Sequence, residues 1–203
     1  MHLNKNILLI LILILGESFI QQKKVDNLTH SAKWVVSKGG FLRVNGSTNV
    51  STFSCIVPEY VDPDTITCIN KDLPILMSGN ISLNIFGFDC HNTLMTADLR
   101  KTLRAKEFPK MRIHFLSLNK FPELRSTEET ITGWVNIELS GVTKKFDVKF
   151  RFYTDDQKII HLIGIRSINF SDFNLTPPRK LGGIIQTKDK LDVEFGLNFK
   201  TLN

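Results

Sequence analysis

Histidines and acidic residues are the side chains of this 203-residue chain that could support catalysis or bind a metal, and their spacing favours neither. No histidine has a partner two or four residues away of the kind that ligates a metal, and no HExxH sequence is present. The histidines are His2, His30, His91, His114 and His161. A GxSxG nucleophile motif and a glycine-rich phosphate loop are also absent from the sequence. We therefore predict a protein that is not an enzyme, with no catalytic residues, no metal site and no cofactor.

An enzyme that acts on a lipid is the alternative from another class. It would need a buried group with a shifted pKa near a pocket. The sequence offers only His114, His161 and Asp89 for that role.

The cysteines Cys55, Cys68 and Cys90 could form one disulfide in an oxidising compartment and leave one thiol over. Cys55 and Cys68 lie on either side of a proline-containing turn, so they could face each other on neighbouring strands. Cys90 fits as a partner of Cys55 equally well. All three also fit as small buried side chains, so the pairing stays open.

The N-terminal residues have the character of a secretory signal peptide. Lys5 precedes an unbroken apolar run over residues 7–15. This run of nine residues is much shorter than the roughly 20 needed to span a bilayer. We predict a signal peptide over residues 1–20, with cleavage between Ser18 and Gln22, and a periplasmic or secreted protein of the bacterial envelope. Residues 21–203 are then enough for one domain.

The charge pattern bears on partners. The formal net charge is +6, and the lysines and arginines are interspersed with aspartates and glutamates. A nucleic-acid-binding surface would need a clustered basic patch, so no nucleic-acid partner is predicted. Transient contact with a membrane and formation of a homodimer are both compatible with this composition.

Alternation of apolar and polar residues with period two is the dominant pattern, and it indicates strands with one buried and one solvated face. The predicted strands cover residues 34–44, 48–57, 81–85, 111–118, 131–139, 146–152, 159–170 and 191–199. A tight turn is predicted at Ser140 and Gly141. About eight strands can close an antiparallel barrel that holds one small ligand.

One segment, 95–105, departs from the strand pattern. Met95, Leu99 and Leu103 recur every four residues, as on one face of a helix. Thr96 is the predicted N-cap. A short amphipathic helix between strands can cover the open end of a barrel.

Phenylalanine dominates the predicted inward faces, and the chain has fifteen Phe but only two Tyr. Phenyl rings without hydroxyl groups make a dry wall that suits a prenyl or acyl chain. The same rings could instead fill the barrel completely, and periodicity does not distinguish a lined cavity from a packed core.

Four segments carry a family resemblance. They are GSTNVSTFSC (46–55), MTADLRKTLRAKEFP (95–109), TGWVNIELSGVTK (132–144) and SDFNL (171–175). Together and in this order they resemble the YceI-like family of lipocalin-type, polyisoprenoid-binding proteins. Asn174 stands where the family usually has Gly, and Asn also tolerates a positive φ. Asn49 stands where many members have His.

The resemblance implies an all-β, extended, eight-stranded antiparallel lipocalin-like barrel with one short helix near its mouth. Its lumen would bind or transport a polyisoprenoid or another long-chain amphiphilic lipid without catalysis. The residues expected to line the lumen are Phe53, Leu99, Leu103, Phe108, Ile113, Phe115, Phe150 and Phe173. Arg100, Lys101 and Arg104 on the helix are expected to hold a phosphate or quinone head group.

The main alternative function is an envelope stress or interaction protein. Its barrel would be packed solid, and its partner would be another protein.

Overall fold

The structure of the chain, a computed structural model, describes residues 30–70 and 73–202. The predicted signal peptide, residues 1–20, lies outside the described residues. The described part contains eleven strands, one α-helix and three 3-10 segments. The strands are β1 His30–Thr48, β2 Thr52–Tyr60, β3 Thr65–Asn70, β4 Ile75–Ser78, β5 Asn80–Asn84, β6 Lys110–Leu118, β7 Glu129–Leu139, β8 Val142–Thr154, β9 Ile160–Asn169, β10 Arg179–Lys180 and β11 Ile185–Leu202. The helix is α1 Thr93–Thr102, and the 3-10 segments are Ile85–Gly87, Phe170–Phe173 and Leu181–Gly183.

Eight of these strands form a closed antiparallel barrel in the order β1, β11, β9, β8, β7, β6, β4 and β3. The barrel closes because β1 pairs with β11 over nearly its whole length, from Lys33 opposite Leu202 to Thr48 opposite Thr187. This confirms the predicted eight-stranded, lipocalin-like barrel with one short helix. We call the end at which α1 lies the mouth.

Strand β1 is long enough to pair with two successive strands along one of its edges. Its first part pairs with β3, and its last part pairs with β2 near the mouth. The sequence patterns missed β3 and β4 because strands of six and four residues offer too few alternations to stand out beside neighbouring prolines. The strand β5 pairs with β6 on the mouth side.

In the longer strands, the apolar residues of the alternating pattern point into the barrel and the polar residues point out. In β11, Leu191, Val193 and Phe195 are buried and Asp192 is exposed. The turn between β7 and β8 needs two residues with positive φ, as in a type I′ hairpin, and Ser140 (φ 52°) and Gly141 (φ 80°) provide them.

An aromatic cluster fills the end of the barrel opposite the mouth. The Trp34 ring lies 6.0 Å from Phe121, 6.0 Å from Phe152 and 5.9 Å from Phe199, measured between ring centroids. Trp34 is fully buried. Because these rings fill the far end, the mouth is the end of the barrel at which a cavity can lie.

A second aromatic layer lies between this cluster and the mouth. Phe115, Phe150 and Phe195 contact one another with centroid distances of 6.2–6.3 Å. Phe150 also lies 6.2 Å from Phe152, which belongs to the first cluster. The two layers form a continuous aromatic column along the interior.

Helix α1 begins earlier than predicted. Asn92 is the N-cap, and its side-chain oxygen accepts a hydrogen bond from the Met95 N–H at 2.9 Å. The prediction that Thr96 caps the helix is therefore wrong: Thr96 lies inside the first turns, and its buried hydroxyl accepts from the Cys90 N–H at 3.0 Å. The helix ends at Thr102 rather than Ala105, because Arg104 adopts a positive φ of 52° that a right-handed helix excludes.

Candidate functional site

The barrel encloses an apolar cavity of about 50 Å³ directly beneath α1, which we call the lumen cavity. Leu99 and Leu103 of the helix form part of its wall, because their spacing of four places both on the face of α1 that points inward. The other lining residues come from six strands and the loop before the helix. They are Leu42, Val44, Phe88, Met111, Ile113, Ile137, Leu139, Val148, Arg166, Ile168, Leu191, Val193 and Phe195.

Three of the eight predicted lumen residues, Leu99, Leu103 and Ile113, line this cavity. Phe115 and Phe150 lie behind Phe195 in the second aromatic layer. They do not line the cavity themselves.

The three remaining predicted lumen residues lie elsewhere. Phe173 packs on Phe146 with ring centroids 5.9 Å apart, and Phe108 lies under the guanidinium of Arg104 at 4.8 Å. Phe53 is half-buried outside the lumen, with its ring over Gly46.

The sequence analysis missed the largest contribution to the cavity wall. Leu191, Val193 and Phe195 of β11 all line it, although their alternation is among the clearest in the sequence. That alternation could have identified them as inward-facing residues near the mouth.

An apolar groove of about 350 Å³ runs outside the barrel beside α1, and we call it the mouth groove. Leu99 lines both the mouth groove and the lumen cavity, so its side chain separates the two. The other residues that line the groove come from the β1–β2 turn and β2, from α1 and its N-cap, from the 3-10 segment after β9, and from the chain between Pro178 and the start of β11. They are Thr48, Ser51, Phe53, Cys55, Asn92, Leu94, Met95, Asp98, Phe170, Pro178, Lys180, Leu181, Ile185 and Thr187.

A disulfide between Cys55 and Cys90 ties the loop before α1 to β2. Beside it, Ile56 and Asp89 exchange two backbone hydrogen bonds of 2.8 Å. Together these contacts hold the N-terminal end of the helix against the barrel.

The alternative pairing of Cys55 with Cys68 does not form, because β1 separates the two residues. Cys55 lies opposite Val44 near the mouth, whereas Cys68 lies opposite Ala32 at the other end of the same strand. Cys68 is a buried free thiol, and its burial raises its pKa to about 12.

Two further contacts fix α1 at its sides. The Ser140 hydroxyl donates to the carbonyl oxygen of Leu103 at 2.8 Å, and the Lys180 ammonium pairs with the Asp98 carboxylate. The helix is thus attached at its start, middle and end while its inward leucines cover the lumen cavity.

The predicted head-group residues on the helix point away from the cavity. Arg100 donates from one guanidinium nitrogen to the carbonyl oxygens of Phe86 and Phe88 at 2.5 and 2.9 Å. Arg104 pairs with Glu107 at 2.5 Å, and Lys101 is exposed. None of the three lines the lumen cavity or the mouth groove.

Arg166 is the charged residue that lines the lumen cavity. It occupies an inward position of β9, between the buried residues Gly164 and Ile168. Its guanidinium reaches Asp147 at 2.8 Å, and its Nε has no hydrogen-bond acceptor among the described residues. The paired register of β8 and β9 stops at Lys149 and Ile165, which leaves room for the Arg166 side chain between the two strands.

The groups named as candidates for catalysis lie away from the cavity wall. The ring nitrogens of His161 contact Asn198 at 2.8 Å and Asp155 at 3.0 Å, and the pKa of Asp155 is lowered by the Ile159 N–H and then by His161. His114 lies 3.8 Å from Glu138, and Asp89 is exposed.

Within residues 30–70 and 73–202, no three His, Cys, Asp or Glu side chains group as metal ligands would. No helix in the same ranges is both long and apolar enough to cross a bilayer.

Comparison with known proteins identifies one family. The model of the YceI-like domain matches residues 24–199. No curated protein sequence matches the chain.

Two solved structures share the fold. A polyisoprenoid-binding domain from Saccharophagus degradans, implicated in plant cell wall breakdown, is 11% identical with a TM-score of 0.59 and covers 85% of this chain and 100% of its own. BcnA from Burkholderia cenocepacia is 14% identical with a TM-score of 0.56, covering 78% of this chain and 95% of its own. At these identities the likeness is one of fold.

Proposed function

The chain belongs to the YceI-like family, and from this premise we propose that it binds and carries a polyisoprenoid or another long-chain amphiphilic lipid in its lumen, without catalysing a reaction on it. The observation that carries the proposal is the dry lumen cavity that a single leucine of α1 separates from an apolar groove open to solvent. A structural neighbour is described as polyisoprenoid-binding, which supports a lipid as the ligand class.

The physical need for such a carrier follows from the cost of exposing a hydrocarbon chain to water, about 0.8 kcal/mol per methylene group. A wall of leucine, isoleucine, valine and phenylalanine side chains removes that cost without selecting a polar substrate. Export of the protein to an aqueous compartment, predicted from residues 1–20, is part of this proposal.

The volume of the lumen cavity sets a condition on binding. About 50 Å³ is well below the roughly 300–1,000 Å³ of typical ligand pockets. We therefore propose that the lipid chain displaces Leu99 and Leu103, so that the lumen cavity and the mouth groove join into one site. The surface contacts that hold α1 could then persist while its inward side chains rotate.

The head group of an anionic lipid has two candidate sites. Arg100 and Lys101 of α1 and Arg104 just after it remain candidates from the sequence, but Arg100 already binds two carbonyl oxygens and Arg104 binds Glu107. Arg166 lines the cavity with the apolar part of its side chain, while its guanidinium pairs with Asp147. We propose that an anionic head group draws this guanidinium away from Asp147, which makes Arg166 the main head-group residue.

Native mass spectrometry tests the proposed function. The protein would be purified from the cells that make it, without detergent, and any bound mass would be extracted and identified. A stoichiometric isoprenoid or lipid supports the carrier function. A clean protein mass that stays unchanged after incubation with polyprenyl phosphates and quinones would contradict it.

A matched pair of variants tests whether the lipid binds inside the barrel. Ile168→Phe adds volume to the cavity wall, whereas Ile165→Phe makes the same change on the outer face of the same strand. Because overpacking a site costs about 1–3 kcal/mol, we expect roughly tenfold weaker lipid binding for Ile168→Phe alone. Equal binding by the two variants would place the lipid outside the lumen.

A second candidate function is favoured by the same small volume. If the aromatic column and the leucines of α1 keep the barrel filled, the protein would act as an interaction protein whose partner is another protein. A lipid-free mass after native purification, together with a protein co-purifying at fixed stoichiometry, would favour this candidate.

A further inference from the structure

Large apolar side chains that are fully exposed are concentrated at the mouth. Single exposed apolar residues are common on soluble proteins, whereas a group of them marks an interaction surface. Among the described residues, five large apolar residues have more than 60% of their surface exposed. Four of these lie at the mouth groove: Leu94 (73%) and Leu181 (72%) line it, and Val50 (66%) and Ile184 (72%) are next in sequence to its lining residues Ser51 and Ile185. We call these four the docking rim.

Specific contacts hold the docking rim together. Leu94 and Leu181 line the mouth groove from opposite sides. The turn that carries Val50 is fixed to the segment that carries Ile184, because the Asn49 side chain donates to the Ile184 carbonyl oxygen at 2.8 Å. The same side chain accepts from the Gln186 N–H at 3.0 Å. The rim is therefore a preformed surface built from three separate segments.

Positive charge is concentrated in the same segments. Residues 46–54, 91–103 and 177–190 contain six lysines and arginines but only two aspartates, in a chain whose total net charge is +6. Asp98 pairs with Lys180, and Asp189 accepts hydrogen bonds from Ser171. Lys190 pairs at 3.4 Å with Asp192, just beyond the third segment. The cations of these segments without a carboxylate partner among the described residues are Arg100, Lys101, Arg179 and Lys188. The described part of the mouth thus combines exposed apolar side chains with a cationic surround, which is complementary to an anionic lipid surface.

We propose that the mouth docks on an anionic lipid bilayer, with the docking rim inserted among the head groups and the surrounding lysines and arginines against the lipid phosphates. A lipid could then pass from the bilayer into the mouth groove and past Leu99 without crossing water. The docking step stands on the rim itself, whereas this transfer step rests on the proposed function.

Vesicle binding by the full chain tests the docking step. The vesicles are phosphatidylcholine alone or phosphatidylcholine with about 30% phosphatidylglycerol, and partitioning is measured by co-sedimentation. The rim variant combines Val50→Ser, Leu94→Ser, Leu181→Ser and Ile184→Ser. The control variant combines Val61→Ser, Leu73→Ser, Leu76→Ser and Leu202→Ser, which are also exposed but neither line the groove nor lie next in sequence to a residue that lines it.

We expect binding to the anionic vesicles that weakens with salt, a loss of roughly tenfold or more in the rim variant, and little change in the control variant. All variants keep residues 1–29, so any contribution of those residues to vesicle binding is common to the set. Equal partitioning of the rim variant and the unmodified chain would overturn the proposal. Failure of the unmodified chain to bind either vesicle would also overturn it and would favour a protein as the partner of the rim.

A local probe makes the test independent of the rest of the chain. Leu94→Trp places an indole on the rim, and Leu73→Trp places one on an exposed site away from the groove. Brominated lipids should quench the Leu94→Trp fluorescence and leave that of Leu73→Trp at the background of Trp34 and Trp134. Equal quenching of both variants would contradict docking through the mouth.

The docking step and the proposed function fail in different ways. If the protein retains a bound lipid in native mass spectrometry but its vesicle binding does not change with the rim substitutions, the carrier function is supported and the docking step is contradicted. If vesicle binding depends on the rim but no lipid is retained in native mass spectrometry, the docking step is supported and the carrier function is contradicted.

Discussion

Arg166 introduces a charge into an otherwise apolar wall. Residues 162, 164, 166 and 168 of β9 alternate inward, and Arg166 is the one position among them that carries a charged group. Its aliphatic stem can line the cavity while the guanidinium leaves between β8 and β9 to reach Asp147. A phosphate at the cavity wall would therefore reach the guanidinium only by drawing it inward from Asp147.

We predict that Arg166→Gln weakens binding of a polyprenyl phosphate but not of the corresponding alcohol. A hydrogen bond to a charged group contributes about 1.5–3 kcal/mol, which corresponds to a loss of roughly ten- to a hundredfold in affinity. Arg151→Gln is the matched control, because Arg151 also forms ion pairs and has a buried Nε, but lies on the outer face of β8. Titration with both ligands would measure the difference. A loss of affinity for phosphate and alcohol alike would mean that Arg166 acts only through packing.

Cys68 is the second residue whose burial has a measurable consequence. Burial raises the pKa of its thiol from the ordinary value of 9.0 to about 12. Below pH 9 the thiol is protonated in both the folded and the unfolded chain, so it adds no pH dependence to stability. Above pH 9 the unfolded chain loses the proton first, and the free energy of unfolding falls as the pH rises towards 12.

We predict that unfolding in urea shows this fall between about pH 9 and 10, with a slope approaching 1.4 kcal/mol per pH unit. Cys68→Ala should remove most of the slope in that range, although the smaller side chain lowers stability at every pH. Burial also raises the pKa of Tyr60, whose phenol donates to Asp64, but its contribution begins only above the ordinary value of 10.0. An unchanged slope in Cys68→Ala would assign the alkaline instability to other groups.

At the scale of elements, α1 is the part of the mouth whose attachments determine access to the lumen. The disulfide between Cys55 and Cys90 closes a loop with a sequence separation of 35 residues. Such a cross-link stabilises the fold mainly by limiting the unfolded chain. It also holds the residues that immediately precede the helix.

We predict that the double variant Cys55→Ser with Cys90→Ser loses about 3–4 kcal/mol of unfolding free energy, from the loop-closure cost of a cross-link of this span. Amide hydrogen exchange should accelerate most in α1 and in residues 88–91, and least in β8 and β9. Cys68→Ala is the control, since Cys68 takes no part in the cross-link. A uniform acceleration over the whole barrel would show that the disulfide stabilises the fold without specifically holding the helix.

At the scale of the whole molecule, the aromatic column would limit how far the proposed lipid chain reaches into the barrel. The layer of Phe115, Phe150 and Phe195 lies directly behind the lumen cavity, and the cluster around Trp34 fills the far end. A chain that enters at the mouth must therefore stop at the first layer or displace its rings.

We predict that Phe150→Ala shifts the preferred ligand to a longer chain, because the lost ring opens space behind Phe195. Removing a buried phenyl ring costs about 3–5 kcal/mol of stability, so binding would be measured well below the unfolding temperature. Phe199→Ala is the control, because Phe199 is equally buried but packs on Trp34 at the far end. Native mass spectrometry with a series of prenyl alcohols reads out the preference. The same preferred length in both variants would contradict a lumen that is limited by Phe150.

The strands that the sequence predicted correctly are long and have one solvated face. In β7, β8, β9 and β11 the alternation covers enough residues that a shift of one position would expose the whole apolar set. The turn at Ser140 and Gly141 was also predictable, since it connects two such strands with a residue that favours positive φ. The strands β3 and β4 were missed because local sequence says little about short strands whose pairing is non-local.

The candidate site was predicted less well than the fold. Leu99, Leu103 and Ile113 lie at the cavity wall, whereas Phe115 and Phe150 lie one layer deeper and the predicted head-group cations line neither the cavity nor the groove; a role for any of them in binding stays a prediction. Period-two alternation identifies an inward-facing residue without giving its depth along the barrel axis. The inward position of Arg166 follows from its place in β9, two residues from the buried Gly164 and Ile168.

The sequence by itself determined an all-β chain, the six longer strands of the barrel and a helix near one end, because period-two and period-four patterns are local properties of the chain. The other two barrel strands, β3 and β4, are defined by their pairing, whereas the predicted strands at 48–57 and 81–85 correspond to β2 and β5 outside the closed barrel. Only the tertiary structure decided that Cys55 pairs with Cys90, because that depends on β1 carrying β2 and β3 at different ends. The volume of the lumen was likewise decided in three dimensions. It depends on how side chains from opposite walls interdigitate, which no pattern along a single strand contains.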